Sequence, residues 1–140
     1  MARPRYDIQC NCWWSSRLIN RTNFLMLLMF LFTIKHCIAD IFLQTYHKHV
    51  DKSKYFGTGH RHYAEHGACT FILLLFFTNP IMALALGFLD YVIHWHIDWA
   101  KTTFCKNFEI QRNTPTFWRI HTLDQIAHFS TYFYITCLLQ

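Results

Sequence analysis

Seven residues of this chain have the types and spacing to share a metal ion or pass a proton: His36, Asp40, His66, His94, Asp98, Asp124 and His128. Most fall into pairs four residues apart, His36 with Asp40, Asp90 with His94 and then Asp98, Asp124 with His128, and His62 with His66. Residues i and i+4 lie one above the other on an α-helix, so each pair draws a stripe along one helix face. The stripes continue at helical spacing: Gln44 and His47 follow Asp40, Lys101 follows Asp98, and His121 stands one turn before Asp124. Neutral imidazoles and carboxylates suit Zn, Fe or Mn, and helical bundles build two-metal sites from such residues on facing helices. Seven donors exceed the needs of one ion, and Gln44, Lys101 and Gln125 are placed to support them.

Three chemistries fit these stripes. In a structural network, Asp–His and Asp–Lys pairs satisfy one another and fix helix packing. In a metal site the same groups are ligands, and an enzyme built on it is a membrane-embedded, metal-dependent hydrolase or oxidase. In a conducting bundle, His and Asp relay protons or ions. No Ser-His-Asp elbow, phosphate-binding loop or nucleotide fingerprint narrows the choice. Among the remaining candidates, His96 points away from His94, and His47, His49, His60 and His62 flank a connection where solvated histidines are expected. Lys101 is expected to snorkel or to pair with an Asp such as Asp40 or Asp98. Gly67 allows close helix approach. Cys10-x-Cys12 offers too few ligands for a metal.

The elements that must position these groups are apolar. The 140 residues are 53% hydrophobic and only 15% charged, against about 25% charged in ordinary soluble domains. Asp40, Asp90, Asp98 and Asp124 lie inside the apolar stretches and cannot serve as solvated surface. Phe24 to Leu43 is long enough to cross a hydrocarbon core of roughly 30 Å, and its first half has no polar face, unlike a helix on a soluble bundle. Further spans are expected at Tyr63 to Thr78, Pro80 to Ala100 and Phe117 to Leu139, with Asn79-Pro80 making a tight helical hairpin. The expected architecture is all-α: a four-helix transmembrane bundle with a polar His/Asp interior, helices at about 24–46, 63–78, 80–100 and 117–139, and a basic tail over 1–22 preceding a single membrane domain, 23–140. The stripes should converge, turning Leu27, Phe30, Leu74 and Leu86 to lipid.

The net charge of +5 sits in residues flanking the apolar segments, which argues for a lipid partner and against nucleic acid. Lys48, Lys52, Lys54 and Arg61 in the first connection, with Lys101, Lys106, Arg112 and Arg119 around the third, place those loops in the cytoplasm and both termini outside. Arg3, Arg5, Arg17 and Arg21 in the tail oppose this orientation. The tail fits two readings. Either it starts a signal peptide cleaved after Cys37-Ile38-Ala39, or it leads a retained helix with Trp13 and Trp14 at the headgroup interface.

Four motifs in order, His36-x3-Asp40-x2-Leu43-Gln44, His66, His94-x3-Asp98-x2-Lys101 and Leu123-Asp124-Gln125-x2-His128, resemble an uncharacterised family of small integral-membrane proteins of bacteria and phages, domain of unknown function thirty-three-oh-seven. The resemblance covers roughly Leu31 to Leu139. It implies a multi-pass protein of the bacterial inner (host) membrane and supplies no activity. The chain departs from the pattern in its N-terminal extension and its extra histidines, and the resemblance implies a start near Met26 or Met29. The sequence assigns no protein partner and leaves a homo-oligomer open.

Overall fold

Asn79 and Pro80 set the sharpest corner of the chain. The Asn79 side chain accepts from the Met82 backbone N–H at 2.9 Å, and Pro80 occupies the first helical turn, where a missing N–H costs nothing. Thr114 and Pro115 repeat the arrangement, with Thr114 Oγ1 accepting from the Phe117 N–H at 3.3 Å. The computed structural model describes residues 10–44 and 50–140, with side chains from residue 20 onward. It contains α1 (Cys10–Cys37), continued by a π-helical segment (Ile38–Leu43), then α2 (Gly59–Leu74), α3 (Pro80–Asn107) and α4 (Pro115–Leu138), with no strand among the described residues. Expectations for Arg3, Arg5, Cys10, Cys12, Trp13, Trp14, Arg17, His47 and His49, and for the end of the first helix at 46, lie outside that description.

The helices outrun the apolar stretches. The first starts at Cys10 instead of Phe24, the second at Gly59 instead of Tyr63, and the third runs past Ala100 to Asn107. No Gly or Pro lies between Cys10 and Phe56 or between Phe88 and Thr114, so nothing in the chain stops helix propagation where apolarity ends. The expected continuous α-helix over 24–46 is corrected at Ile38–Leu43, where the backbone widens and the Gln44 N–H reaches the Ala39 carbonyl. Such π turns gather at functional sites, and this one carries Asp40.

Neighbouring helices run antiparallel. Phe32 stacks on Tyr132 with centroids 5.0 Å apart, Thr70 donates to Asp90 at 2.6 Å, and Lys101 reaches Asp124. Helices α2 and α3 meet closest at Gly67 and Gly87. A Cβ on Gly67 would lie 2.8 Å from the Gly87 carbonyl oxygen, and one on Gly87 would lie 2.8 Å from the Gly67 oxygen. Toward the Asn79-Pro80 corner the interior is an apolar floor of Leu28, Phe32, Leu74, Ala83, Leu86, Tyr132 and Ile135.

Leu27 and Phe30 face outward as expected, but Leu74 and Leu86 are buried in that floor. Helical spacing accounts for the correction. Leu74 lies two i+4 steps beyond His66, and Leu86 lies one before Asp90, so both share the inward face of the stripes. Ile72, Phe76, Leu84 and Phe88 take the outer positions instead. Two helical segments, Asn20–Leu43 and Pro80–Asn107, are long and apolar enough to cross a membrane.

Candidate metal centre

Above the apolar floor the interior turns polar, and the first polar layer is closed. Lys35 is buried and donates to Asp90 Oδ2 at 2.7 Å and to the Tyr132 hydroxyl at 3.2 Å. Thr70 donates to the same Asp90 oxygen. An isolated ion here would cost several kcal/mol, roughly, and mutual pairing offsets it. His66 Nδ1 lies 3.4 Å from Lys35, at the limit of a hydrogen bond, so the ammonium is committed to Asp90 and Tyr132.

The next layer is made of imidazoles, one or more from each helix. His94 stacks between His66, 3.7 Å away between centroids, and His128, 4.1 Å away. His62 stands 4.6 Å from His66 and 5.3 Å from His94. His36 completes the group, 5.2 Å from His66 and 5.3 Å from His128.

Carboxylates cap these rings. Asp40 Oδ1 is 3.2 Å from His62 Nε2 and 3.1 Å from His66 Nε2, while its Oδ2 is 3.3 Å from His36 Nε2. Asp98 Oδ2 lies 3.5 Å from His94 Nε2 and 3.6 Å from His62 Nε2, and its Oδ1 lies 3.5 Å from His128 Nε2. Asp124 Oδ1 lies 3.7 Å from His128 Nε2. The outward oxygens take lysines: Lys52 donates to Asp98 Oδ2 at 2.6 Å and Lys101 to Asp124 Oδ2 at 2.7 Å. Gln44 accepts from Lys52 at 3.3 Å. Gln125 donates to Asp124 at 3.2 Å and turns its Oε1 to His36 Nε2, also at 3.2 Å.

A cleft of about 650 Å³ opens over this layer at the end formed by the first and third connections. Asp40, Asp98 and Asp124 lie at its base, with Lys52, Lys106 and Arg112 on its walls. Beside it Asp51 orders the first connection, accepting from the Ser53 hydroxyl at 2.7 Å and the Ser53 N–H at 3.0 Å. Those bonds hold its carboxyl below the usual carboxylate range.

All seven residues expected from the stripes therefore lie in one interior. Asp40, His62, His66 and His94 bring ligand atoms within 4.8 Å of one another, as do His94, Asp98 and His128. His36 and Asp124 flank these groups. Both His36 nitrogens have protein partners, Nδ1 lying 2.8 Å from the Tyr132 hydroxyl, so it stands behind Asp40. Three placements differ from expectation. His62 is fully buried among the ligands instead of solvated, and its i,i+4 relation to His66 was the signal that could have found it. Lys101 pairs with Asp124 instead of Asp40 or Asp98, because antiparallel α3 and α4 set it beside Asp124 while Lys52 reaches Asp98. Lys35 was missed, and its signal is a lone cation in an apolar helix. His96 is exposed, as expected, with Nδ1 2.6 Å from the Val92 carbonyl oxygen.

Both ring nitrogens of His62 and both of His94 are buried without a hydrogen-bond partner. Buried polar groups are almost always bonded, and two of these nitrogens, His62 Nε2 and His94 Nε2, face carboxylate oxygens across 3.2 to 3.6 Å, as the donors of a candidate cation site do. A nitrogen and oxygen set of this kind fits a borderline divalent metal. Comparison with protein-family models, curated proteins and solved structures finds no match to this chain.

Proposed function

We propose that this chain is a multi-pass membrane protein whose four helices enclose a divalent-metal centre, with Asp40, His62, His66 and His94 as ligands and Zn, Fe or Mn as the ion. The observation that carries the reading is the orphaned, fully buried pair of rings at His62 and His94. A structural network accounts for the lysine–aspartate pairs around the centre and leaves the Nε2 atoms of both rings without a hydrogen bond, which a bound ion would complete. Conduction is disfavoured by the apolar floor, which interrupts any polar path through the bundle.

The membrane reading rests on an inverted surface. Histidines, aspartates and threonines are buried, while Phe30, Phe42, Ile72, Phe88, Leu123 and Phe133 are exposed on the outer faces of the four helices and the π segment. Helix α2 is only 16 residues long, and His62, His66 and Thr70 of α2, like Asp124, His128 and Thr131 of α4, point inward, away from the outer faces. The packing of Leu28, Phe32, Lys35 and His36 into the interior supports a retained first helix over a cleaved signal. The order of the four motifs supports the resembled family and a bacterial inner membrane. The basic connections at the cleft support an orientation with the cleft on the cytoplasmic side.

A divalent ion at such a site polarises bound oxygen or makes water a nucleophile near neutral pH, the chemistry of a membrane-embedded hydrolase or oxidase. The residues of the chain do the holding. His36, fixed by Tyr132, orients Asp40 from behind, as partners of ligating groups do in metal sites. Lys52 and Lys101 balance the carboxylates, and the cleft admits water and a small polar substrate to the ligand layer.

Elemental analysis of detergent-purified protein, expressed in medium supplemented with Zn, Fe and Mn, is the test. At least one equivalent of one of these metals is expected, lost in His94→Ala with helical content unchanged. Sub-stoichiometric metal throughout would overturn the reading.

A further inference from the structure

The carboxylate of Asp98 is shared in a way one cation does not require. Its Oδ2 faces His62 and His94, whereas its Oδ1 faces His128 on the opposite helix. Next to His128 stands a second unfinished group: Asp124 Oδ1 is buried with no hydrogen-bond partner, although Oδ2 of the same carboxylate is held by Lys101. Two sets of ligand atoms thus meet at His94, one completed by Asp40, His62 and His66, the other by Asp98 and His128.

We infer that the interior holds two cations, with the Asp98 carboxylate spanning them and Asp124 Oδ1 and His128 Nε2 completing the second position. The inference rests on the proposed metal centre and adds a second ion to it. Carboxylates and histidines on facing helices of a bundle are the recurring donors of two-metal sites. His94 belongs to both sets, and with its Nε2 given to the first ion the second is left Asp98 Oδ1, His128 Nε2 and Asp124 Oδ1. A carboxylate has two oxygens with two lone pairs each, so Asp98 can span the positions while Lys52 remains on Oδ2. The lysines fit this division. Lys101 occupies the outward oxygen of Asp124 and leaves the inward one free, which a simple ion-pair network would have no reason to do.

A paired centre narrows the substrate class. Two ions side by side stabilise both the attacking and the leaving oxygen of an in-line displacement. An ester with two adjacent oxygens to hold, a phosphoester above all, would suit it.

The metal-stripped full-length protein in detergent, titrated with Zn²⁺ and then desalted, gives the stoichiometry. Two equivalents are expected in the wild type and one in both Asp124→Asn and His128→Gln. The Mn²⁺-loaded wild type, read by electron paramagnetic resonance, should show an exchange-coupled pair, which needs no variant to fold. One equivalent with the spectrum of isolated Mn²⁺ would overturn the second position and leave the proposed centre standing. No bound metal would overturn both.

Discussion

Lys35 and His94 illustrate two ways a polar side chain can live in this interior. Lys35 is complete: its ammonium is held by Asp90 and Tyr132 and lies 4.6 Å above the Tyr132 ring. His94 is incomplete, stacked between two other rings with neither nitrogen bonded. The two should therefore fail differently. Lys35→Met leaves the Asp90 charge buried and unpaired, and should destabilise the bundle by about 3–5 kcal/mol in detergent denaturation, with metal content unchanged. The double variant Lys35→Met/Asp90→Asn should recover part of that loss. If the single variant sheds metal at unchanged stability, the pair belongs to the centre and not to the scaffold. His36→Ala tests the layer behind the ligands. Removing the partner that orients Asp40 should weaken metal affinity by roughly 10–100-fold, measured by competition with a chelator.

The elements owe their arrangement to a few local instructions. Gly67 and Gly87 let the backbones of α2 and α3 touch, and Gly87→Ala forces a methyl against the Gly67 carbonyl and the Phe71 side chain. Overpacking of this kind should cost about 1–3 kcal/mol, seen as a lowered denaturation midpoint, while Asn79→Ala should cost about 1 kcal/mol through its lost cap. A Gly87→Ala protein as stable as the wild type would show that the hairpin can open without penalty. The stripes, the Asn79-Pro80 corner and the convergence of His36, Asp40, His94, Asp98, Asp124 and His128 were legible in the sequence, because i,i+4 spacing and the cost of buried charge together fix which face turns inward. The helix ends were not, since apolarity marks where lipid would begin and not where a helix stops: α3 runs seven residues past Ala100 and ends at Asn107 with no Gly or Pro beside it. The π turn at Asp40 has no composition of its own. Three imidazoles meet the carboxylate it carries. The outward placement assigned to Leu74 and Leu86 failed because residue type was weighed over spacing: a leucine in line with Asp90 must point where Asp90 points.

At the scale of the whole molecule, the proposed membrane setting draws on exposed apolar faces and buried polar groups. Four antiparallel helices return the chain to its starting side, so reporters fused at residue 1 and after Gln140 should give the same localisation signal. Opposite signals would remove the four-span arrangement, and a mature N-terminus at Asp40 would show that the first helix is cleaved. The cleft over the ligand layer and the floor of Leu28, Phe32, Leu86 and Ile135 beneath it have a joint consequence for traffic. Among the described residues the chamber opens through that cleft. On the proposed reading, whatever reaches the histidines would back out the way it came, so the protein would transform molecules from one compartment without handing them to the other. Cys105 stands in the wall of that opening, and a thiol reagent unable to cross the bilayer should modify it from one face of sealed vesicles only, with a bulky adduct blocking arrival and departure alike.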